Sequence, residues 1–316
     1  MEPPKSVPAV SRRTHGIPIV SEYNALAAAR LYAAADSGQM LLYQDGESAL
    51  RLHYLGEPTD RRIAPNITAW RRVIAGPKGE WIAAYTLGHS QSLFLGRADT
   101  AKLDLIEFAP ARVVDFLLTT DELIVSTTLG QILSIDLLDR KTTSLWQSDT
   151  PVECAALAVS DCQRWLAWST PHKTMVFRRD EGRIVLRTRT VGNAWTSSFS
   201  PDGSMLLSGG KFDKTCVVTS IDTGKLVCST QVGASPTCAL WSPDQRMVCV
   251  GTGSLSKFKE ADSRRLTFIA IPSGKIVAKD ATDDYAISQL IAIDDKSGLA
   301  VNSKKVMAWS WPDEAR

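Results

Sequence analysis

Short apolar runs alternate with compact polar turns along nearly the whole chain. Each run has strand length and is bounded by Gly, Pro, Asp, Asn or Ser, so the pattern predicts β-strands. One arrangement recurs from end to end: an apolar run, a turn, a second run with small side chains, a loop, a third run, a turn and a fourth run. Its clearest copy spans 195–230, WTSSFSPDGSMLLSGGKFDKTCVVTSIDTGKLVCST. Aligned on Gln39, Gln91, Gln131, Lys173, Lys214, Arg265 and Lys305, the third runs read MLLYQ, SLFLG, ILSID, TMVFR, TCVVTSID, LTFIAI and VMAWSW. The mean step between these anchors is about 44 residues, the period of a four-stranded propeller blade. A single unit of this kind cannot bury its own faces, so the copies must stack on one another.

The fold class expected is therefore all-β, a seven-bladed β-propeller forming one domain over 1–316. Approximate blades are 24–63, 64–110, 111–149, 150–191, 192–232, 233–282, and 283–316 joined by 16–20. The turns between first and second runs are marked by Pro77-Lys78-Gly79, Ser160-Asp161, Pro201-Asp202-Gly203, Pro243-Asp244-Gln245 and Asp294-Asp295-Lys296. Pro, Asp and Gly supply the backbone angles such turns need. The last unit has three runs, and Gly16–Val20 (GIPIV) is the candidate fourth, which would close the ring and remove exposed sheet edges. Residues 24–36, NALAAARLYAAAD, have helical propensity but stand where the first blade begins, so strand and short helix both stay open.

Phe199-Ser200-Pro201-Asp202-Gly203, then Gly209-Gly210, then Asp222-Thr223-Gly224 resemble a repeat of the WD40 family. Leu240-Trp241-Ser242-Pro243-Asp244-Gln245 is similar, and the other units keep only the strand pattern. The resemblance implies a rigid platform for proteins or peptides, and sometimes for nucleic acid. The family's Trp-Asp dipeptide is missing throughout, and no Gly-His pair precedes a first strand. The usual His-Asp-Ser/Thr-Trp hydrogen-bond network is thus not expected. Packing must hold the blades, with Trp70, Trp81, Trp165, Trp168, Trp195, Trp241, Trp309 and Trp311 as expected core residues.

Composition removes some classes of function. Lys plus Arg is 36 and Asp plus Glu is 34, a net charge of +2, so no global field steers the chain toward polyanions. The six cysteines include no CxxC and read as free, mostly buried thiols. The first residues, MEPPKSVPAVSRRTHG, lack the apolar core of a secretory leader. No apolar run has transmembrane length, and a cytoplasmic or nuclear protein is expected.

Catalytic signatures are missing. The four histidines lie in different units, and neither HExxH, Gly-x-Ser-x-Gly nor a phosphate-binding Gly-rich loop occurs. A propeller hydrolase would have to recruit Asp115, Asp121 or Glu122 to a metal, and nothing in the sequence groups them. No enzyme and no cofactor are expected. In a propeller the second-to-third-strand loops share one face, the top, with the connections between blades. Basic residues collect there on the later blades: Lys173, Lys211, Lys214, Lys257, Lys259, Arg264, Arg265, Lys304 and Lys305, with Phe258 between two lysines. These ten residues form the candidate partner site, guided by charge and anchored by the ring. The bland reading is that they only solubilise loops. The functional one is a non-catalytic scaffold that binds an acidic or phosphorylated segment of a partner protein; the alternatives are a nucleic-acid-binding propeller using the same loops and a metal-dependent hydrolase. Arg71-Arg72 beside Trp70, and Asp60-Arg61-Arg62, are weaker extensions of the patch.

Overall fold

The computed structural model describes residues 30–35, 39–54, 57, 59–64, 70–86, 91–100, 102–189, 194–210, 212–253, 265–281 and 286–312. These residues form strands and turns with no helix. Six sheets have four antiparallel strands and one has three, and in every sheet the strands neighbour one another in chain order. The first strands of successive sheets lie against each other around the ring, so the first strand of each blade is innermost. They are Arg30–Ala35, Trp70–Ala75, Val113–Leu118, Ala155–Val159, Ala194–Phe199, Pro236–Trp241 and Ile287–Ala292.

The second strands carry the core. Met40–Gln44, Glu122–Thr127 and Met247–Thr252 are buried at every position. Their alternate side chains point to opposite faces of the sheet, so each strand feeds two interfaces. Met40 and Leu42 pack toward blade two, whereas Leu41 and Tyr43 pack toward blade seven. One apolar cluster fills each junction between neighbouring blades. The seventh, joining Leu31, Leu41 and Tyr43 to Leu299, Val301 and Val306, closes the ring. The Leu31 N–H adds a 3.3 Å hydrogen bond to the Ser303 carbonyl across the same seam.

The first blade departs from the sequence reading by one strand. MLLYQ is its second strand, paired on one side with Arg30–Ala35 and on the other with Leu50–Tyr54. Second and third strands are both central and apolar, so a run such as MLLYQ fits either position until its partners are known. With this assignment second strands begin at Met40, Trp81, Glu122, Trp165, Met205, Met247 and Ser297. The spacing becomes nearly uniform except before the last, where the long 254–264 segment intervenes. The correction also puts Asp45-Gly46-Glu47 on the top; Asp36-Ser37-Gly38, which the sequence reading takes as a top loop, lies outside the described residues. Arg30–Ala35 is strand; the rest of the ambiguous 24–36 segment, like the proposed closing strand Gly16–Val20, lies outside the described residues. The three-stranded seventh sheet ends at Val306–Ser310. No helix among the described residues is long and apolar enough to cross a membrane.

Candidate functional site

The top loops of blades four, six and seven are held by a polar side chain at or just past the end of the second strand. The Thr170 hydroxyl accepts from the Lys173 N–H at 3.1 Å, and Thr252 does the same for Arg265 at 3.0 Å. The Asn302 side-chain oxygen accepts from both Lys304 and Lys305 N–H groups at 2.8 Å. These clamps satisfy loop donors locally, fixing the backbone that carries each basic residue. Lys214 has φ 55°, the left-handed turn conformation, and its carbonyl accepts from Val232. Lys173 and Lys304 are exposed, while Lys214, Arg265 and Lys305 are half-buried. All five lie on the top of blades four to seven. Lys211, Lys257, Phe258, Lys259 and Arg264 fall outside the described residues.

Among the described residues of these four second-to-third-strand loops, Asp213 is the one carboxylate. The top loop of blade one instead carries Asp45 and Glu47, with Asp45 paired to Arg51. In their second-to-third-strand loops blades four to seven are thus mainly basic and blade one acidic, while the connection into blade four adds the exposed Asp149 and Glu153.

The carboxylates considered for metal chemistry have structural employment. Asp115 is buried and accepts from Arg72 on blade two and from the Leu157 N–H on blade four at 2.9 Å. It ties together the inner strands of three blades. Arg72 also stacks over Phe116 at 4.9 Å, so it belongs to this clasp. Glu122 pairs with Arg179 across the junction of blades three and four and accepts from Ser134. Among the described residues no three His, Cys, Asp or Glu side chains gather as a metal site. A cavity of about 260 Å³ beside this pair is lined by Asp121, Glu122, Asp136, Asp139, Lys141 and Arg179. It lies at the bottom of the blade-three to blade-four junction, remote from the basic rim.

The cysteines are free thiols. Burial pushes Cys154 and Cys238 up to about 12, so neither is a nucleophile at neutral pH.

Seven of the tryptophans expected in the core pack against other blades or half-bury, as at Trp70, Trp168 and Trp309. Trp195 is the correction. It is 39% exposed at the top of blade five, beside a chain loop carrying the 67% exposed Phe212. Its strand has a register shift between Ala194 and Thr196, so Trp195 falls at a bulge in the pairing with the second strand. Sequence periodicity assumes regular pairing and cannot see such a bulge.

No family model and no curated protein sequence matches the chain. Solved structures do. A chain in the crystal structure of the mitotic checkpoint complex superposes with a TM-score of 0.73, covering 99% of this chain and 98% of that one at 14% identity. The chain is a seven-bladed β-propeller. That is the fold its resemblance to the WD40 family implies. Because 1748 solved chains match this propeller, the fold alone does not select an activity.

Proposed function

We propose that this propeller is a non-catalytic scaffold that receives an acidic or phosphorylated segment of a partner protein on the top of blades four to seven. The observation that carries the reading is the polarity of that face. Lys173, Lys214, Arg265, Lys304 and Lys305 stand at one end of four adjacent blades, and the loops of Lys173, Arg265, Lys304 and Lys305 have clamped backbones. Pre-set loops lose little conformational entropy on binding, and a basic rim raises the encounter rate with an acidic segment. Lys257, Lys259 and Arg264 extend the same stretch of sequence. The comparison protein sits in a complex, which agrees with a platform role.

The test is affinity capture with wild type and with a Lys173→Glu, Lys214→Glu, Arg265→Glu, Lys305→Glu variant, read by mass spectrometry and nucleic-acid quantitation. The expected result is a stoichiometric protein lost in the variant while its thermal midpoint stays unchanged. Retention of every partner by the folded variant moves the site elsewhere. Loss of co-purifying nucleic acid, with no protein lost, overturns the reading in favour of a nucleic-acid propeller.

A further inference from the structure

Blade one has the shortest outer strand of the six four-stranded sheets. Arg61–Ala64 has four residues, whereas the other outer strands have six or seven. It pairs with the third strand only at Leu50, Arg51 and Leu52. So short an edge has few ladder bonds, and side chains that tie it down carry more of its stability. Asp60, the residue before this strand, is such a tie. It accepts from the Tyr43 hydroxyl on the second strand and lies 2.7 Å from His53 Nδ1 on the third. Leu41 pairs with His53 and Tyr43 with Arg51. His53 therefore lies on the face that Leu41 and Tyr43 turn to blade seven. One carboxylate fastens the outer strand to both central strands beside the seam that closes the ring.

Tyr43 is 4% exposed and His53 8%, while the Asp60 side chain keeps 26% of its surface in water. Burial, then the bond to Asp60, holds the Tyr43 phenol above its ordinary value, so it stays a donor. The imidazole is the member of the network that changes charge near neutrality. Its surroundings favour the charged form. Asp60 is in contact with it. Arg51, next along the same face of the third strand, is paired with Asp45, which leaves one negative charge in excess. In the connection and the outer strand, Glu57 pairs with Arg61, Arg61 stacks on Tyr54, and Arg62 is exposed. On the first strand Arg30 stacks on Tyr32, whose hydroxyl bonds to blade two. Blade seven turns Leu299, Val301 and Val306 to this face, and its second and third strands carry no titratable side chain. Burial opposes charging of the imidazole, but the partly exposed carboxylate keeps water within reach of the pair, and direct ionic contact outweighs it.

We propose that His53, Asp60 and Tyr43 form a pH-sensitive latch on the outer strand of blade one. Protonated His53 draws Asp60, and the strand that follows it, against the two central strands. Deprotonation leaves a neutral hydrogen bond and loosens that edge. A histidine raised on folding contributes stability that is complete below its unfolded pKa, about 6.5, and is lost as pH rises through the folded value. The latch is therefore closed in mild acid and slackens as pH passes through neutrality. It stands on blade one, so its failure leaves the reading of blades four to seven untouched.

The experiment is an NMR titration of the full chain from about pH 5 to about pH 9, the range over which histidine changes charge. The His53 ring signal is assigned with His53→Gln. Amide protection factors of the outer strand are measured over the same range, each corrected for intrinsic exchange. His53 is expected to titrate above about 6.5 in wild type and to move down in Asp60→Asn. Protection at Arg61, Arg62 and Ile63 should fall about tenfold from the acid to the alkaline end, as a rise of one pKa unit supplies. In His53→Gln it should stay level. A wild-type His53 that titrates at or below about 6.5 overturns the latch. So does outer-strand protection in wild type that does not change with pH, or that falls equally in His53→Gln. If a variant does not fold, the wild-type titration and its protection profile decide alone.

Discussion

At the scale of single residues, the turns between first and second strands show how local chemistry sets the fold. The Ser242 hydroxyl accepts from the Met247 N–H at 2.9 Å and donates to Asp244 at 2.6 Å. Asp244 in turn accepts from the Arg246 N–H at 3.1 Å. Ser200, Asp202, Ser204 and Met205 repeat this geometry one blade earlier. Gly203 and Gln245 occupy the same turn position with φ of 73° and 63°. Glycine suits the left-handed region, whereas glutamine is held there by the surrounding bonds. The Ser242 hydrogen bond, with the Arg246 N–H and guanidinium, holds the Asp244 carboxyl below its ordinary value. A group depressed on folding stabilises the protein above its unfolded pKa, near 3.9, and that contribution is lost as pH falls through the folded value. Asp244→Asn should therefore lower the urea midpoint at neutral pH, and its difference from wild type should shrink progressively below about pH 4. A difference that stays constant to the acid limit would show that the carboxylate charge contributes nothing. These turns were legible in the sequence because Ser-Pro-Asp acts through neighbours only a few residues away. Trp195 was not, because its exposure depends on a pairing partner in another strand.

Elements are joined chiefly by their second strands, with polar clasps added at the inner strands. Asp115 is the most connected of these, reaching blades two and four from blade three. Asp115→Ala would leave the Leu157 N–H and the Arg72 guanidinium without their acceptor. Removing one partner of a fully buried pair costs about 3–5 kcal/mol, and Arg72 is 43% exposed in its side chain, so solvent reduces the expected loss to about 2 kcal/mol. A urea titration of the variant checks this, and a midpoint shift no larger than that of an exposed Asp→Ala change would remove Asp115 from the stability account. Residue spacing predicted strands almost everywhere these elements appear. It misnumbered MLLYQ because two central strands of a blade share the same buried, apolar character. It also left Asp115 as a possible metal ligand and Arg72 as a separate extension of the basic patch, since they are far apart in the chain and meet only when blades two and three stack.

At the scale of the molecule, closure of the ring brings loops distant in sequence to one face and sorts their charges. Lys173 and Lys305 are far apart along the chain, yet both stand on the top because every blade runs in the same sense. Such exposed charges are screened strongly: the Debye length falls from about 10 Å at 0.1 M salt to about 3 Å at 1 M. Binding of an Asp- and Glu-rich peptide should accordingly weaken as salt rises in wild type, and lose most of that dependence in the four-residue charge reversal. Equal salt dependence in both proteins would place the responsible charges outside blades four to seven. The amino-acid sequence by itself determined the strand class, the blade period, the turn chemistry and the clustering of basic residues in particular loops. All of these depend on interactions between residues close in the chain or on a repeating two-sided burial pattern. Only the tertiary structure decided the strand register of blade one, the clasp at Asp115, the acidic loop of blade one beside the basic rim and the exposure of Trp195. Each of these is set by pairing and stacking between distant segments, where several arrangements satisfy the same local pattern and the packed ring admits one.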